Sequence, residues 1–215
     1  MTTRARETIL KKIRKALSSK LPVPYPEADV IVNHYAPEHE ELELEFAENF
    51  SKLLGKFSYC IDANELCEQL KVLVAVKQWT KIYCAEQKIR VLLEKAGLIT
   101  LLSDDLNSCD VSITGCENLV ARTGTIVLTS AQTDGRNASV YAPVHICIAY
   151  QKQLLYDLDK SLTAMQVKYK RNLPSLITFA TGPSRTADIE KTLVVGVHGP
   201  KEVYCFLVDE FLSRP

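Results

Sequence analysis

The chain has 215 residues, of which 47% are hydrophobic and 24% charged, a composition typical of a soluble globular protein with a sizeable core. Its 26 basic and 26 acidic side chains give zero formal charge, which argues against a general electrostatic grip on nucleic acid. No apolar run approaches the roughly 20 residues that cross a bilayer, and the first residues lack a signal-peptide core. We therefore expect a cytoplasmic protein with no membrane span and no nucleic-acid partner.

The seven cysteines argue against both a disulfide framework and a cluster site. Their number is odd and no two of them form a CxxC pair, whereas disulfide-rich domains, zinc sites and iron–sulfur sites usually need closely spaced cysteines. Several lie in apolar, strand-like runs, where cysteine behaves as a small hydrophobic residue. We predict no cofactor and no metal in this chain, and buried thiols at Cys60, Cys84, Cys147 and Cys205.

The first 37 residues form a segment distinct from the rest of the chain. Apolar residues recur at helical spacing over Thr3–Leu17, with lysine and arginine between them, which predicts a basic amphipathic helix. Four prolines between residues 21 and 37 predict an extended connector. We therefore assign residues 1–37 to a helix and proline-rich arm, and residues 38–215 to an α/β domain. Docking of the helix on a core or on a second copy, giving a homo-oligomer, is favoured over contact with a membrane.

From residue 38 onward the pattern alternates between helix and strand, which predicts βαβ units and a parallel sheet covered by helices. The apolar run at residues 193–197 predicts a strand buried on both faces. Because the connection to the next strand, at residues 202–208, is short, those two strands are expected to pair antiparallel. We predict helices at 38–54, 64–76, 86–96 and 157–170, and strands at 57–61, 81–85, 99–102, 110–114, 125–130, 144–150, 176–181, 193–197 and 202–208.

Two clusters of polar residues flank the predicted strand at residues 125–130. Thr123, Gly124 and Thr125 form the first, where glycine lets the backbone turn tightly or approach a ligand and the hydroxyls can donate. Arg136 lies in the second and can bind a carboxylate or phosphate through two hydrogen bonds. Both clusters are also compatible with a structural role, as a glycine turn and a solvated hairpin tip. We predict all four residues as substrate- or anion-binding.

A third polar cluster spans residues 181–200. Its amides and hydroxyls can hold an anion or cap a helix, and its acids can act as base or nucleophile. His198 ends a strand beside a glycine and can act as acid, base or anion ligand. His145 lies in an apolar strand, where a hydrogen-bonded core histidine is the commoner outcome. We predict catalytic roles for His198, Asp188 and Glu190, and binding roles for His145, Gly182, Ser184, Thr186 and Gly199.

Four runs in the second half of the chain match one family pattern. They are ENLVARTGTIVLTS, DGR, APVHICIAY and TGPSRTADIEKTLVVGVHGPKEVYCFLVDE. Together they resemble the lactate-utilisation (LUD) domain family, in its small-subunit type. The resemblance implies a three-layer α/β/α sandwich of the sugar-phosphate isomerase and CoA-transferase-like superfamily, and a role in oxidising L-lactate to pyruvate with iron–sulfur partner subunits. It also implies that the residues predicted above belong to the family motif. Arg122 departs from the pattern, because the family's turn usually has an acidic residue there.

Three functions are compatible with these observations. Oxidation of a 2-hydroxy acid needs an electron acceptor, and the sequence has neither a GxGxxG fingerprint nor closely spaced cysteines. The first hypothesis is therefore a subunit that binds a small carboxylate or other anion, while iron–sulfur oxidoreductase subunits transfer the electrons. The second is a stand-alone enzyme that acts on a phosphorylated or CoA-thioester substrate. The third is a non-catalytic assembly module that docks through the first 37 residues.

Overall fold

The computed structural model describes residues 3–18, 41–134, 136–186 and 194–209. The chain divides into two compact units after Pro37. The first contains helix α1 (Thr3–Leu17), and the second contains every other element. Its helices are α2 (Leu42–Lys52), α3 (Ala63–Lys77), α4 (Gln87–Lys95), α5 (Ala138–Tyr141) and α6 (Leu158–Tyr169). Its strands are β1 (Lys56–Cys60), β2 (Ile82–Tyr83), β3 (Leu102–Ser103), β4 (Val111–Thr114), β5 (Asn118–Val120), β6 (Thr125–Thr129), β7 (Val144–Tyr150), β8 (Leu154–Leu155), β9 (Ile177–Ala180), β10 (Arg185–Thr186), β11 (Val194–Val195) and β12 (Glu202–Val208).

A six-stranded sheet in the order β1-β12-β7-β4-β2-β3 forms the centre of the larger unit, and all of its strands are parallel. Its long strands, β7 and β12, are the apolar runs VHICIAY and EVYCFLV, and both are buried almost throughout. This confirms the predicted α/β class with a parallel sheet flanked by helices. All seven cysteines are buried and free, including the four for which burial was predicted.

The two faces of the parallel sheet are covered differently. On one face, Ile113, Ile146 and Phe206 pack against α3 and α4, in the way expected of βαβ units. On the other face, Cys147 and Leu207 pack against α2 and against a second sheet.

The second sheet has the order β8-β5-β6-β9, and β6 runs antiparallel to both of its neighbours. Helix α6 covers its far side, where Met165 packs against Val120 and Val127. This sheet was not predicted from the sequence, although its two longest strands, β6 and β9, were. It inserts a β layer between the parallel sheet and α6.

The prediction for residues 193–197 was wrong in the part that the structure describes. Strand β11 has two residues, pairs antiparallel with β10, and leaves Val194 and Val195 38% and 37% exposed. Strand β12 lies between β1 and β7 and is parallel to both, so the expected antiparallel pairing with its predecessor was also wrong. The physical reason is that the N–H of Lys201 donates to the Pro143 carbonyl at 2.8 Å, which starts β12 beside β7.

No helix in the described ranges combines the length and apolar character needed to span a bilayer.

Candidate functional site

Two of the three predicted polar clusters meet through their hydroxyl groups. Thr125 begins β6, and its Oγ1 lies 2.7 Å from Oγ1 of Thr123 and 3.0 Å from Oγ1 of Thr181. Thr181 follows β9, which pairs with β6 and so carries the third cluster to the first. The structure therefore places three threonine hydroxyls in one hydrogen-bonded group.

Gly124 and Gly182 bring these two turns against the C-terminal end of α2. Both have a positive φ, of 58° and 80°. A Cβ at Gly124 would overlap the backbone N of Phe50, and one at Gly182 would overlap the carbonyl oxygen of Leu53. Asn49 of α2 completes this contact by donating from Nδ2 to the carbonyls of Ala121 and Arg122, at 3.1 Å each. Packing alone thus accounts for both glycines, and their predicted ligand contacts remain predictions.

Residues 181–186 and 194–201 fold into a single strip, which we call the ribbon. Within it the N–H of Ser184 donates to the Pro200 carbonyl at 3.0 Å, and the Ser184 hydroxyl donates to the His198 carbonyl at 3.2 Å. Gly199 has φ 147°, and a Cβ there would lie 2.9 Å from Cβ of Ser184. The ribbon therefore brings Ser184, His198 and Gly199 together, beside the amino ends of β7 and β12.

The ribbon presents positive charge. Its charged side chains in the described residues are Arg185 and Lys201, and both are exposed, as is the imidazole of His198. The next residue, Glu202, is paired with Lys56 and Lys77. Partial burial would raise the pKa of Glu202, but hydrogen bonds from these lysines and from Tyr204 outweigh that effect and lower it to about 2. Glu202 is therefore an ionised, paired carboxylate, and the exposed cations Arg185 and Lys201 of the described ribbon residues favour an anion.

Arg136 does not lie with the three hydrogen-bonded threonine hydroxyls around Thr125. It is exposed, and its Nη2 donates to Oγ of Ser175 at 2.5 Å. Ser175 in turn lies 3.2 Å from Oγ of Ser130, which directly follows β6, whereas Thr125 begins that strand. Arg136 therefore contacts the opposite end of β6. Asp188 and Glu190, the two predicted catalytic acids, lie outside the described residues.

His145 lies in the interior, between the two sheets. It is 1% exposed, and its Nε2 is 2.8 Å from Oγ1 of Thr114. Burial disfavours the imidazolium and lowers the pKa of His145 to about 4. At neutral pH it is therefore an uncharged, hydrogen-bonded core histidine, and the structure does not bring it to the surface that carries His198.

A second candidate site, at the carboxyl edge of the parallel sheet, was missed by sequence reasoning. The chain leaves β2 for β3 on one side and leaves β4 for β7 on the other, so β2 and β4 flank a topological switch point, where ligands of such sheets usually bind. Glu86 follows β2, and its Oε1 accepts the N–H of Gly115, which follows β4, at 2.7 Å. Burial raises the pKa of Glu86, against the lowering effect of that hydrogen bond. A carboxyl group whose pKa is raised by burial is a candidate general acid or base.

Among residues 3–18, 41–134, 136–186 and 194–209, no three histidine, cysteine, aspartate or glutamate side chains converge as a metal site would require.

Comparison with known families gives one match that covers most of the chain. Residues 44–208 match the model of the LUD domain. The fold is also similar to the crystal structure of a DUF162 family protein from Deinococcus radiodurans, with a TM-score of 0.59 at 19% identity, over 78% of this chain and 96% of that one. At this identity the likeness is one of fold.

Several curated relatives carry the name lactate utilization protein C. The one from Halalkalibacterium halodurans is 36% identical over 111 residues, which are 51% of this chain and 48% of the relative. The one from Bacillus subtilis is 35% identical over 103 residues, 47% of this chain and 43% of the relative. The one from Deinococcus radiodurans is 32% identical over 105 residues, 48% of this chain and 49% of the relative. The matches thus span about half the length of each relative.

Proposed function

Because the chain belongs to the LUD domain family, we propose that it acts in lactate utilisation as a subunit that binds a small carboxylate. Its relatives are named for that process. Removing two electrons from lactate requires an acceptor, and these 215 residues contain neither a dinucleotide fingerprint nor closely spaced cysteines. Iron–sulfur partner subunits are therefore the proposed electron carriers, and the cytoplasm the proposed compartment.

The charge of the ribbon is the observation that supports carboxylate binding. Arg185, His198 and Lys201 are exposed there, beside the Ser184 hydroxyl and the turn at Gly199. Cationic and hydroxyl groups that converge on one surface bind a carboxylate through charge-assisted hydrogen bonds. In this proposal His198 and Lys201 contact the ligand, and the catalytic roles of Asp188 and Glu190 stay predictions from the sequence.

A thermal-shift titration of the purified chain with L-lactate, pyruvate, inorganic phosphate and CoA tests this proposal. A ligand at 100 times its dissociation constant adds about 2.7 kcal/mol to stability and raises the melting temperature. We expect a shift with lactate or pyruvate that is lost in His198→Gln and in Lys201→Gln. Arg171→Gln, which removes an equally exposed cation outside the ribbon, should retain it. Arg136→Ala tests whether Arg136, which was predicted to bind the anion but lies at the other end of β6, contributes to the shift.

A full shift in both ribbon variants would contradict the ribbon as the binding site. A shift with phosphate or CoA alone would contradict carboxylate binding and favour a stand-alone enzyme.

The position of Glu86, a half-buried carboxyl group bonded to the N–H of Gly115 beside the switch point, is the specific observation that favours that second function. A partly buried carboxyl group at a switch point is positioned to act as an acid or base on a bound phosphorylated or thioester substrate. Glu86→Gln removes the ionisable group but keeps a side chain of the same shape. Turnover by the purified chain that disappears in this variant would support an enzyme, whereas turnover that persists would exclude Glu86 from the chemistry.

A further inference from the structure

Helix α1 has an exposed apolar face in the part of its unit that the structure describes, residues 3–18. The side chains of residues 5–16 are all exposed, including Ile9 (51%), Leu10 (38%) and Ile13 (48%), which lie within one turn of each other. Thr3–Leu17 contains six basic residues and one acidic residue, for a formal charge of +5. Isolated helices of about 12–15 residues are marginally stable in water, so this 15-residue helix needs a surface to bind.

An acidic, partly apolar groove lies between α2 and β1. It has a volume of about 470 Å³ and is lined by Glu41, Glu43, Leu44, Phe57 and Tyr59. Leu44 is 59% exposed and Tyr59 is 38% exposed, so apolar surface is open to a partner. The groove also adjoins an open sheet edge, since β1 pairs only with β12 in the described residues.

The groove between α2 and β1 is surrounded by more negative charge than a second groove, which lies on the other side of β1. Helix α2 and its N-terminal cap carry Glu41, Glu43, Glu45 and Glu48 against one lysine. The Tyr59 hydroxyl donates to Asp209 at 2.8 Å, and burial together with Asp209 and Glu43 raises the pKa of Tyr59 to about 12. A second groove of about 690 Å³ lies between β1 and α3, but Lys56 lines it and Lys71 pairs with its Glu68.

We propose that the groove between α2 and β1 binds helix α1 of a second copy of this chain. The apolar residues Ile9 and Ile13 enter the groove against Leu44, and the lysines of α1 face its glutamates. This is the usual mode by which an amphipathic helix binds a groove, with anchors at i and i+4. Each copy carries both the helix and the groove, so two copies complement each other reciprocally in an isologous dimer.

The proline-rich connector predicted at residues 21–37 favours a second copy as the source of the helix. Its four prolines predict a semi-rigid spacer of about 3.1 Å per residue, which is long enough for the helix to reach a second copy. The inference goes beyond carboxylate binding and does not depend on it, because no ribbon residue takes part.

Charge-reversal variants of the full chain, studied by sedimentation equilibrium, test the dimer. The helix variant is Lys11→Glu with Lys15→Glu, and the groove variant is Glu41→Lys with Glu43→Lys. Wild type is expected to dimerise, and each variant alone to associate about tenfold more weakly or less, because like charges then face each other. An equimolar mixture of the two should recover dimerisation, since each helix then meets a groove of opposite charge. The control, Glu68→Lys with Glu94→Lys, makes the same charge change elsewhere and should leave dimerisation unchanged.

The mixture separates exchange between copies from any other effect of the substitutions. Melting temperatures of each variant confirm that it is folded, and Leu44→Ser provides a second, uncharged disruption of the groove. A monomeric wild type, or a mixture that stays monomeric, would overturn the proposal. Loss of dimerisation in the control would indicate that the helix binds the groove between β1 and α3, which Glu68 lines. That result would overturn the proposal as well. Binding of a monomeric wild type to vesicles containing anionic lipid, abolished in the helix variant, would identify α1 as a membrane-surface helix.

Discussion

Single glycines determine how closely the second sheet approaches α2. Gly124 and Gly182 come from turns at the ends of β6 and β9, and both place backbone where a Cβ would overlap the last turns of α2. The two turns also share the hydrogen-bonded threonines, so a shift of one would displace the other. Residue-scale geometry thus connects the packing of α2 with the position of the ribbon.

We expect Gly124→Ala to destabilise the protein much more than Gly97→Ala. Both glycines have a left-handed φ, 58° and 71°, so each substitution carries the conformational cost of about 1–2 kcal/mol. At Gly97 no atom lies within 4 Å of the added Cβ, whereas at Gly124 it would overlap the backbone of Phe50 and Asn49. Urea unfolding should show a total loss of about 3 kcal/mol or more for Gly124→Ala. Equal losses of unfolding free energy in the two variants would mean that α2 shifts away from the added Cβ at no cost in stability.

The burial of His145 predicts a loss of stability in mild acid. Its pKa is about 4 in the folded chain against an ordinary value of 6.5, so between these values the unfolded chain binds more protons. The stabilisation is complete above pH 6.5 and falls by about 3 kcal/mol as the pH drops to about 4. Unfolding free energies measured at pH 7, 5.5 and 4.5 should show this slope. The slope should be much smaller in His145→Gln, where only the carboxylates with lowered pKa such as Glu202 still contribute, and it should persist in His198→Gln, whose side chain is exposed. An unchanged slope in His145→Gln would contradict the assignment.

At the scale of elements, those marked by local sequence patterns could be predicted, whereas those that depend on long-range pairing could not. Helix α3 was predicted within a residue or so of its bounds because apolar spacing and an aspartate cap mark it locally. Strand β8 has two residues and exists only through its pairing with β5, where Leu119 lies opposite the distant Leu154. Helix α5 occupies four residues within a segment whose composition is typical of a loop. The second sheet was missed for this reason, while the parallel sheet was evident from its long apolar strands.

The cap of α3 should contribute measurably to stability. The Asp62 carboxylate accepts the N–H groups of Asn64 and Glu65, both at 2.8 Å, so two amides at the helix start are satisfied. Asp62→Ala should lower the unfolding free energy by about 1 kcal/mol, read from the midpoint of urea unfolding. Asp62→Asn keeps an acceptor oxygen and should lose less. Equal losses for asparagine and alanine would show that charge near the dipole, and not the hydrogen bonds, dominates.

At the scale of the whole molecule, sequence distance decided which parts of the candidate site could be predicted. Ser184, His198 and Gly199 lie in one stretch of twenty residues, so their proximity follows from the local antiparallel pairing of β10 with β11. Glu86 and Gly115 are 29 residues apart, and they meet only because β2 and β4 are neighbours in the sheet order. That order depends on the packing of the complete core, which no local pattern of residues specifies.

The division of the chain after Pro37 yields a prediction for the molecule as a whole. Every buried apolar residue of the described core lies between Phe46 and Val208, so a chain that begins at residue 38 retains the complete core and should unfold cooperatively. If α1 joins two copies, the full-length chain gains stability by mass action and its melting temperature rises with protein concentration. Melting curves at concentrations a hundredfold apart should differ for the full chain and coincide for the truncated one. A truncated chain that fails to fold would show that the first 37 residues contribute to the core itself, and a concentration-dependent truncated chain would place the dimer contact elsewhere.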